Sequence, residues 1–404
     1  MDIAFRELEG RSRGYWVLLI AAGLLAGIGL LAAYYMEHEG HIVTGMNNQI
    51  VWGMPHVFAV FLIVAASGAL NVASIASVFG KPFYKPLAPL SGLLAIALLA
   101  GGLTILMLDL GRADRVIIAM TYYNFKSVFA LNVFLYTGFF TLVAAYLWTM
   151  MERRMNVFSK PVGVAAFIWR LLLTTGTGSI FGFLVARQAY DSALLAPMFI
   201  ILSFAYGLAI YLLVLLASYH WGGRPLGDHV ISRLKNLLGI FVAASLYFVA
   251  VYHMTNLYFA KRHEFERFIL VDGGIYPLLF WGGQVLLGSV VPMLLLFNSR
   301  FSQSRRWVAI AAALVILGGF AQMYVTIIGG QAFPLDLFPG MRESSSFFDG
   351  MIHPYFPSWP EILLGLGGVA IAAVIVIFAI KILRFLPASL DDSIVDARTG
   401  PASH

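Results

Sequence analysis

Ten stretches of about 20 or more apolar residues, separated by short polar connections, set the plan of this chain. They run roughly from 15–36, 54–79, 87–108, 128–150, 162–186, 193–219, 237–259, 275–298, 307–329 and 362–380. Each is long enough, as a helix, to span the hydrocarbon core of a bilayer. In lipid the backbone has no water to bond, so its hydrogen bonds must close within each segment. The pattern predicts an all-α integral membrane protein with ten transmembrane helices. The first segment does not read as a cleaved signal peptide: it is too long, and Tyr34-Tyr35-Met36-Glu37 offers no small-residue cleavage site.

Segments 2 and 6 start alike. Met54-Pro55-His56-Val57-Phe58 opens one, and Ala196-Pro197-Met198-Phe199-Ile200 lies near the start of the other. Four segments separate the two starts, so both run in the same direction. This predicts two four-helix bundles, segments 2–5 and 6–9, related as a parallel repeat, with segments 1 and 10 at the periphery. The divisions are 1–53 (tail and first helix), 54–186 (first bundle), 187–329 (second bundle), 330–361 (an outer loop) and 362–404 (last helix and tail). Met198 stands where His56 stands, so only the first bundle keeps the polar site.

Glycines at Gly23 and Gly27, Gly178 and Gly182, and Gly365, Gly367 and Gly368 predict close helix approach in lipid. Gly176-Thr177-Gly178 belongs to the same packing, since no strand precedes it as a nucleotide loop would need. The 330–361 loop carries Phe333, Phe338, Phe347, Phe348, Tyr355, Phe356 and Trp359. So many aromatics fit a cap on the bundle or a docking site for an outer protein.

Composition agrees with the pattern: 60% hydrophobic and 11% charged residues in 404 exclude a soluble fold. The net charge of +6 serves topology rather than nucleic acid. With the N-terminus inside, 17 of the 26 Lys and Arg fall in inner loops and tails and 8 in outer ones. That bias puts both termini in the cytoplasm, with the protein in the bacterial inner membrane. Lys261, Arg262 and Arg267, three outer basics in one loop, run against it. The absence of cysteine excludes cysteine-ligated clusters, c-type haem attachment, disulfides and thiol chemistry within the chain.

The candidate chemistry lies at two segment ends. His56, in Trp52-Gly53-Met54-Pro55-His56, sits where segment 2 begins. Asp109, in Leu108-Asp109-Leu110-Gly111-Arg112, sits where segment 3 ends. Consecutive segments cross in opposite directions, so both face one side of the bilayer, and ionisable groups at that depth are functional candidates. His56 fits a general base for a quinol hydroxyl or an anchoring interfacial histidine. Asp109 and Arg112, three apart, fit a proton acceptor with its holding partner or a simple ion pair. Tyr122, Tyr123 and Asn124 follow, and with Arg112, Arg115 and Lys126 supply the polar and apolar mixture of a quinone-head pocket. Arg170 lies inside segment 5 and must be paired, hydrated or snorkelling. Asn71, Asn132, Gln284 and Gln322 fit interhelical hydrogen bonds. His56 and His253 both lie near the outer edge, so a haem ladder across the membrane is excluded. His38-Glu39-Gly40-His41 has the residue types but not the spacing of a zinc motif.

Trp52-Gly53-Met54-Pro55-His56, Gly68-Ala69-Leu70-Asn71 and Asp109-Leu110-Gly111-Arg112 together resemble the NrfD/PsrC family of membrane quinone-reactive subunits. Ten segments and the stretch Ala119-Met120-Thr121-Tyr122-Tyr123-Asn124-Phe125-Lys126-Ser127 are most similar to its DsrP branch, the membrane subunits of DsrMKJOP sulfite-reduction-associated complexes. The resemblance implies two four-helix bundles, no haem or iron–sulfur cluster of the subunit's own, and a quinone or menaquinone pocket near the outer face. His56 matches the family's histidine position, and Asp109, Gly111 and Arg112 its Asp-Gly-Arg element. Tyr122, Tyr123 and Asn124 are added from location. The implied partners are a periplasmic iron–sulfur protein (DsrO-like), a multihaem cytochrome c (DsrJ-like), a membrane cytochrome b (DsrM-like) and a cytoplasmic iron–sulfur protein (DsrK-like). The expectation is a non-autonomous quinone oxidoreductase subunit in sulfur metabolism. A proton-conducting subunit and a purely structural anchor are the alternatives that the same residues allow.

Overall fold

A computed structural model describes residues 4–335 and 351–393. Among them, ten helices are long and apolar enough to cross a membrane. They are α1 (Arg13–Glu39), α2 (Met54–Ser77), α3 (Pro82–Leu108), α4 (Val128–Met151), α5 (Arg153–Gly182), α6 (Leu195–Trp221), α7 (Asp228–Tyr258), α8 (Ile275–Phe297), α9 (Arg305–Ala332) and α10 (Trp359–Ile382). Each overlaps one predicted segment, so the protein is an all-α, ten-span membrane protein. Several helices outrun the apolar stretch. α7 begins at Asp228 because its first two turns, polar through Lys235, continue the helix beyond the hydrocarbon, where hydropathy no longer marks it.

Two rings of four helices form the body. In the first, α2 packs on α3, α3 on α4, α4 on α5 and α5 back on α2; α6–α9 close the second in the same manner. α2 and α6 join the rings, and their backbones nearly touch: a Cβ at Gly68 would lie 1.6 Å from the Ser203 carbonyl oxygen. Glycine is obligatory there. α10 lies on α2 and α3, while α1 packs on α10. Among the other predicted glycines, Gly178 meets the Ala196 backbone and Gly365 meets Phe58. Gly23 and Gly27 correct the expectation: both face open space, and it is Gly29 that meets Gly367 across α1 and α10.

α2 is interrupted at Leu70, between helices Met54–Ala69 and Asn71–Ser77. Ser91 of α3 bridges the break, donating to the Ala69 carbonyl at 2.6 Å and accepting from the Ala73 N–H at 3.1 Å. α8 is π-helical from Leu278 to Val290. The segments before α1 and after α10 meet on one face, where β1 (Phe5–Arg6) pairs antiparallel with β2 (Leu386–Pro387). The His56 and Asp109 ends of α2 and α3 belong to the opposite face. There Phe333 packs on Phe265 and Phe268, Tyr355 is buried, and Phe356 and Trp359 are exposed. Phe338, Phe347 and Phe348 lie outside the described residues.

Candidate functional site

The segment entering α2 is fixed by bonds from distant helices. Gln331 of α9 is almost fully buried; its Oε1 accepts the N–H groups of Val51 and Trp52, and its Nε2 donates to the Trp52 and Ile327 carbonyls. Arg187 donates to the carbonyls of Gln49 and Gln331. Burial lowers the Arg187 pKa from its usual value, although its loop lies outside the spans. The Gln331 and Ile327 carbonyls have further donors in Gln49 and Tyr190, while a buried backbone group among the rest left without its bond would cost about 1–3 kcal/mol.

Thus held, Gly53 starts α2 with Pro55 in its first turn, where the missing N–H costs nothing. His56 follows, its ring stacked on Trp52 with centroids 6.1 Å apart and planes at 26°. Trp52 also meets Phe129, Phe181 and Tyr190, with centroids 5.6–6.5 Å away. An aromatic wall therefore flanks the imidazole.

Opposite it, α3 ends at Leu108 and Asp109 caps it, its N–H bonded to the Ile105 carbonyl. His56 Nδ1 lies 2.8 Å from Asp109 Oδ2, with side chains 21% and 1% exposed. The ring and the carboxylate are in close contact without an aligned hydrogen bond, and neither Asp109 oxygen has a hydrogen-bond donor among the described residues. With Nδ1 turned to the carboxylate, Nε2 is the ring nitrogen left for a ligand. The carboxylate is sealed; the imidazole is partly open. This arrangement can take a proton at His56 and stabilise the resulting charge with Asp109.

Arg112 is not the partner its spacing predicted. The helix has already ended, and Gly111 turns the chain with φ +66°, so residues three apart no longer share a helical face. Arg112 is exposed, as are Tyr122 and Asn124, whose Oδ1 accepts the Lys126 N–H. Tyr123 is half-buried against Phe125 and Phe134. A residue passed over in the sequence stands closer: a Cβ at Gly111 would lie 2.9 Å from His41 Nε2, so the His41 ring packs on the Asp109–Gly111 turn.

A second histidine–carboxylate pair lies on the same face. His253 Nδ1 is 2.7 Å from Oε2 of the fully buried Glu266, whose Oε1 accepts from Asn256. Arg262 closes this network onto Asn256 and the Asp191 carbonyl, so one of the three outlying basic residues is held internally. A cavity of about 240 Å³ adjoins it, lined by Gln188, Asp191, Phe259, Lys261 and Arg262, rather than by His56 and Asp109. Unlike Asp109, Glu266 is fully bonded. Within the bilayer, Arg170 is buried, bonded to Asn71 Oδ1 and the Ser67 carbonyl and flanked by the Phe167 and Phe204 rings. Among the described residues it has no carboxylate partner, and no group of three metal-ligating side chains occurs.

The chain is thus a ten-helix membrane protein with an ionisable pair where α2 begins and α3 ends. Residues 42–335 match the family described as "Polysulphide reductase, NrfD", and the chain belongs to it. It is 28% identical over 98% of its length to the whole of an Hdr-like menaquinol oxidoreductase integral membrane subunit from Archaeoglobus fulgidus. It is 22% identical to a selenate reductase subunit from Mesobacillus selenatarsenatis, over 89% of this protein and 91% of that one. To a polysulfide reductase chain from Wolinella succinogenes it is 24% identical, over 71% of this protein and 96% of the relative.

Proposed function

We propose that this chain is the quinone-reactive membrane subunit of a respiratory or sulfur-metabolism redox complex, acting on a quinone beside His56 and Asp109. The observation that carries the reading is a sealed carboxylate 2.8 Å from a partly open imidazole at the ends of α2 and α3. A quinol hydroxyl bonded to Nε2 gives its proton to His56 and Asp109 stabilises the imidazolium, which passes that proton to water on its open side and then takes the second hydroxyl's proton, while the two electrons leave to a partner's metal centre. Reduction of a quinone runs through the same groups in reverse. The aromatic wall at Trp52 and Phe129 offers a surface for the ring. Exposed Arg112, Tyr122 and Asn124 and half-buried Tyr123 lie along the connection from α3 to α4, where a ligand or partner would order them.

Menaquinone is the first candidate, as the Archaeoglobus relative is named for menaquinol. The basic bias puts the terminal face in the cytoplasm and the site near the periplasmic face of the inner membrane. With no cysteine in the chain, the electron partner there is a separate iron–sulfur protein. The ten spans and the 119–127 stretch support a DsrP-type subunit within a DsrMKJOP-type assembly, beside a multihaem cytochrome c, a membrane cytochrome b and a cytoplasmic iron–sulfur protein. Photolabelling of the purified complex with an azido-quinone, followed by peptide mapping, tests the site. Label on peptides holding Trp52–His56 or Leu108–Gly111, competed by menaquinone, is expected. Label elsewhere, or none together with quinone-free complex, would overturn the assignment.

A further inference from the structure

The four helices of the second ring line a cavity of about 20 Å³. Apolar residues of α6, α7 and α9 and glycines of α8 and α9 make most of its wall, with four polar side chains among them: Ser245, Gln284, Ser289 and Gln322. Gln284 lies near the middle of the α8 span and is 5% exposed, and neither its Oε1 nor its Nε2 has a hydrogen-bond partner among the described residues. The other three are engaged locally: Ser245 donates to the Phe241 carbonyl, Ser289 to the Gln284 carbonyl and Gln322 to Thr326 Oγ1. Their oxygens retain lone pairs that can accept.

A primary amide buried in hydrocarbon with both ends unbonded is strongly disfavoured. A cavity of about 10–15 Å³ suffices for one water, which needs two to four polar partners; this space supplies both. The π-helical course of α8 from Leu278 to Val290 widens the turn beside Gln284. We propose that the second ring binds one internal water at the mid-depth of the membrane, held by Gln284 with Ser245, Ser289 and Gln322. A cation does not fit: no carboxylate is among the described residues lining the cavity, and an uncompensated charge there is costly. An apolar guest would leave the amide unbonded. Tyr206 lines the same cavity and stacks on Phe61 of α2, with centroids 5.2 Å apart. One aromatic pair therefore separates this neutral hydration point from the helix that carries His56. The first ring keeps a guanidinium in its interior; the second keeps a water.

Radiolytic footprinting of the intact complex, equilibrated in ¹⁸O-water, tests this, because X-rays turn a bound water into hydroxyl radical where it sits. Tyr206, 4% exposed, should take up ¹⁸O several-fold faster than both Tyr211 and Tyr276, which are 0% and 5% exposed and lie away from the cavity. Gln284→Leu should bring Tyr206 down to the Tyr211 rate. Equal rates in the wild type would overturn the proposal, without need of the variant. Tyr206 labelling that appears only with sodium, and not with choline, would overturn it in favour of a cation.

Discussion

The Tyr355 hydroxyl donates to Glu361 Oε1 at 2.5 Å while accepting the Met54 N–H at 2.6 Å, which ties the last helix to the first turn of the helix bearing His56. Glu361 Oε2 takes the N–H groups of Gly45 and Ser358, and its side chain is fully buried. Burial first, and the Glu361 charge second, hold the Tyr355 phenol far above its usual range, so it remains a donor at any working pH.

Glu361→Ala leaves three donors without an acceptor. At about 1–3 kcal/mol for each unsatisfied group, the loss should be several kcal/mol, with α10 loosened from α2. Glu361→Gln keeps one acceptor oxygen and should be milder. Thermal unfolding of the purified complex checks the order, and an Ala variant as stable as wild type would remove Glu361 from this role.

His56→Ala and Asp109→Asn should each lower quinol-linked turnover by about 10²–10⁴-fold, the usual contribution of a positioned acid–base group. Assembly should survive, since Asp109 bonds to no other side chain among the described residues. The measurement is turnover per assembled complex. Wild-type turnover in both variants would leave the anchor reading ahead.

Gly111→Ala forces an L side chain into the left-handed region, at about 1–2 kcal/mol, and presses it on His41. Adding His41→Ala should relieve the contact but not the backbone conformation. Partial recovery of thermal stability in the double variant is the expected result; no recovery would mean that His41 does not pack on this turn.

Arg170→Met should destabilise by about 1–3 kcal/mol, because Asn71 Oδ1 loses its donor while the Ser67 carbonyl keeps the Leu70 N–H. Combining it with Asn71→Leu should return most of that loss, as replacing a buried polar cluster by apolar groups often does. If the double variant unfolds as early as the single one, the guanidinium is doing more than satisfying its neighbours.

The ten helices were legible because lipid allows one backbone solution and hydropathy marks it directly. His56 and Asp109 were legible as a pair because consecutive spans return to the same face. Arg112 was misjudged by treating Asp109–Arg112 as helix, whereas Gly111 ends that geometry. Gln331, Arg187 and Glu361 carry no comparable signal. Their partners are mostly backbone groups more than a hundred residues away, and an isolated glutamine or glutamate near a span end reads as ordinary interfacial polarity. His41 was hidden for a related reason: its neighbour is a bare turn, and the sequence offers only a motif with the wrong spacing.

Among the described residues α1 packs chiefly on α10, apart from its junction with the short helix that follows it, and α10 is made after the other nine described spans. Some 320 residues separate Glu39 from Trp359, so at roughly 5–20 residues per second α1 waits about 15–65 s before its protein neighbour exists. During that time lipid alone solvates it, which suits a helix whose outward side chains are apolar almost all round. The Phe5–Pro387 pairing forms later still. This pairing therefore follows the insertion of α1 through α10, and a chain stalled before α10 would leave α1 free to diffuse in the membrane.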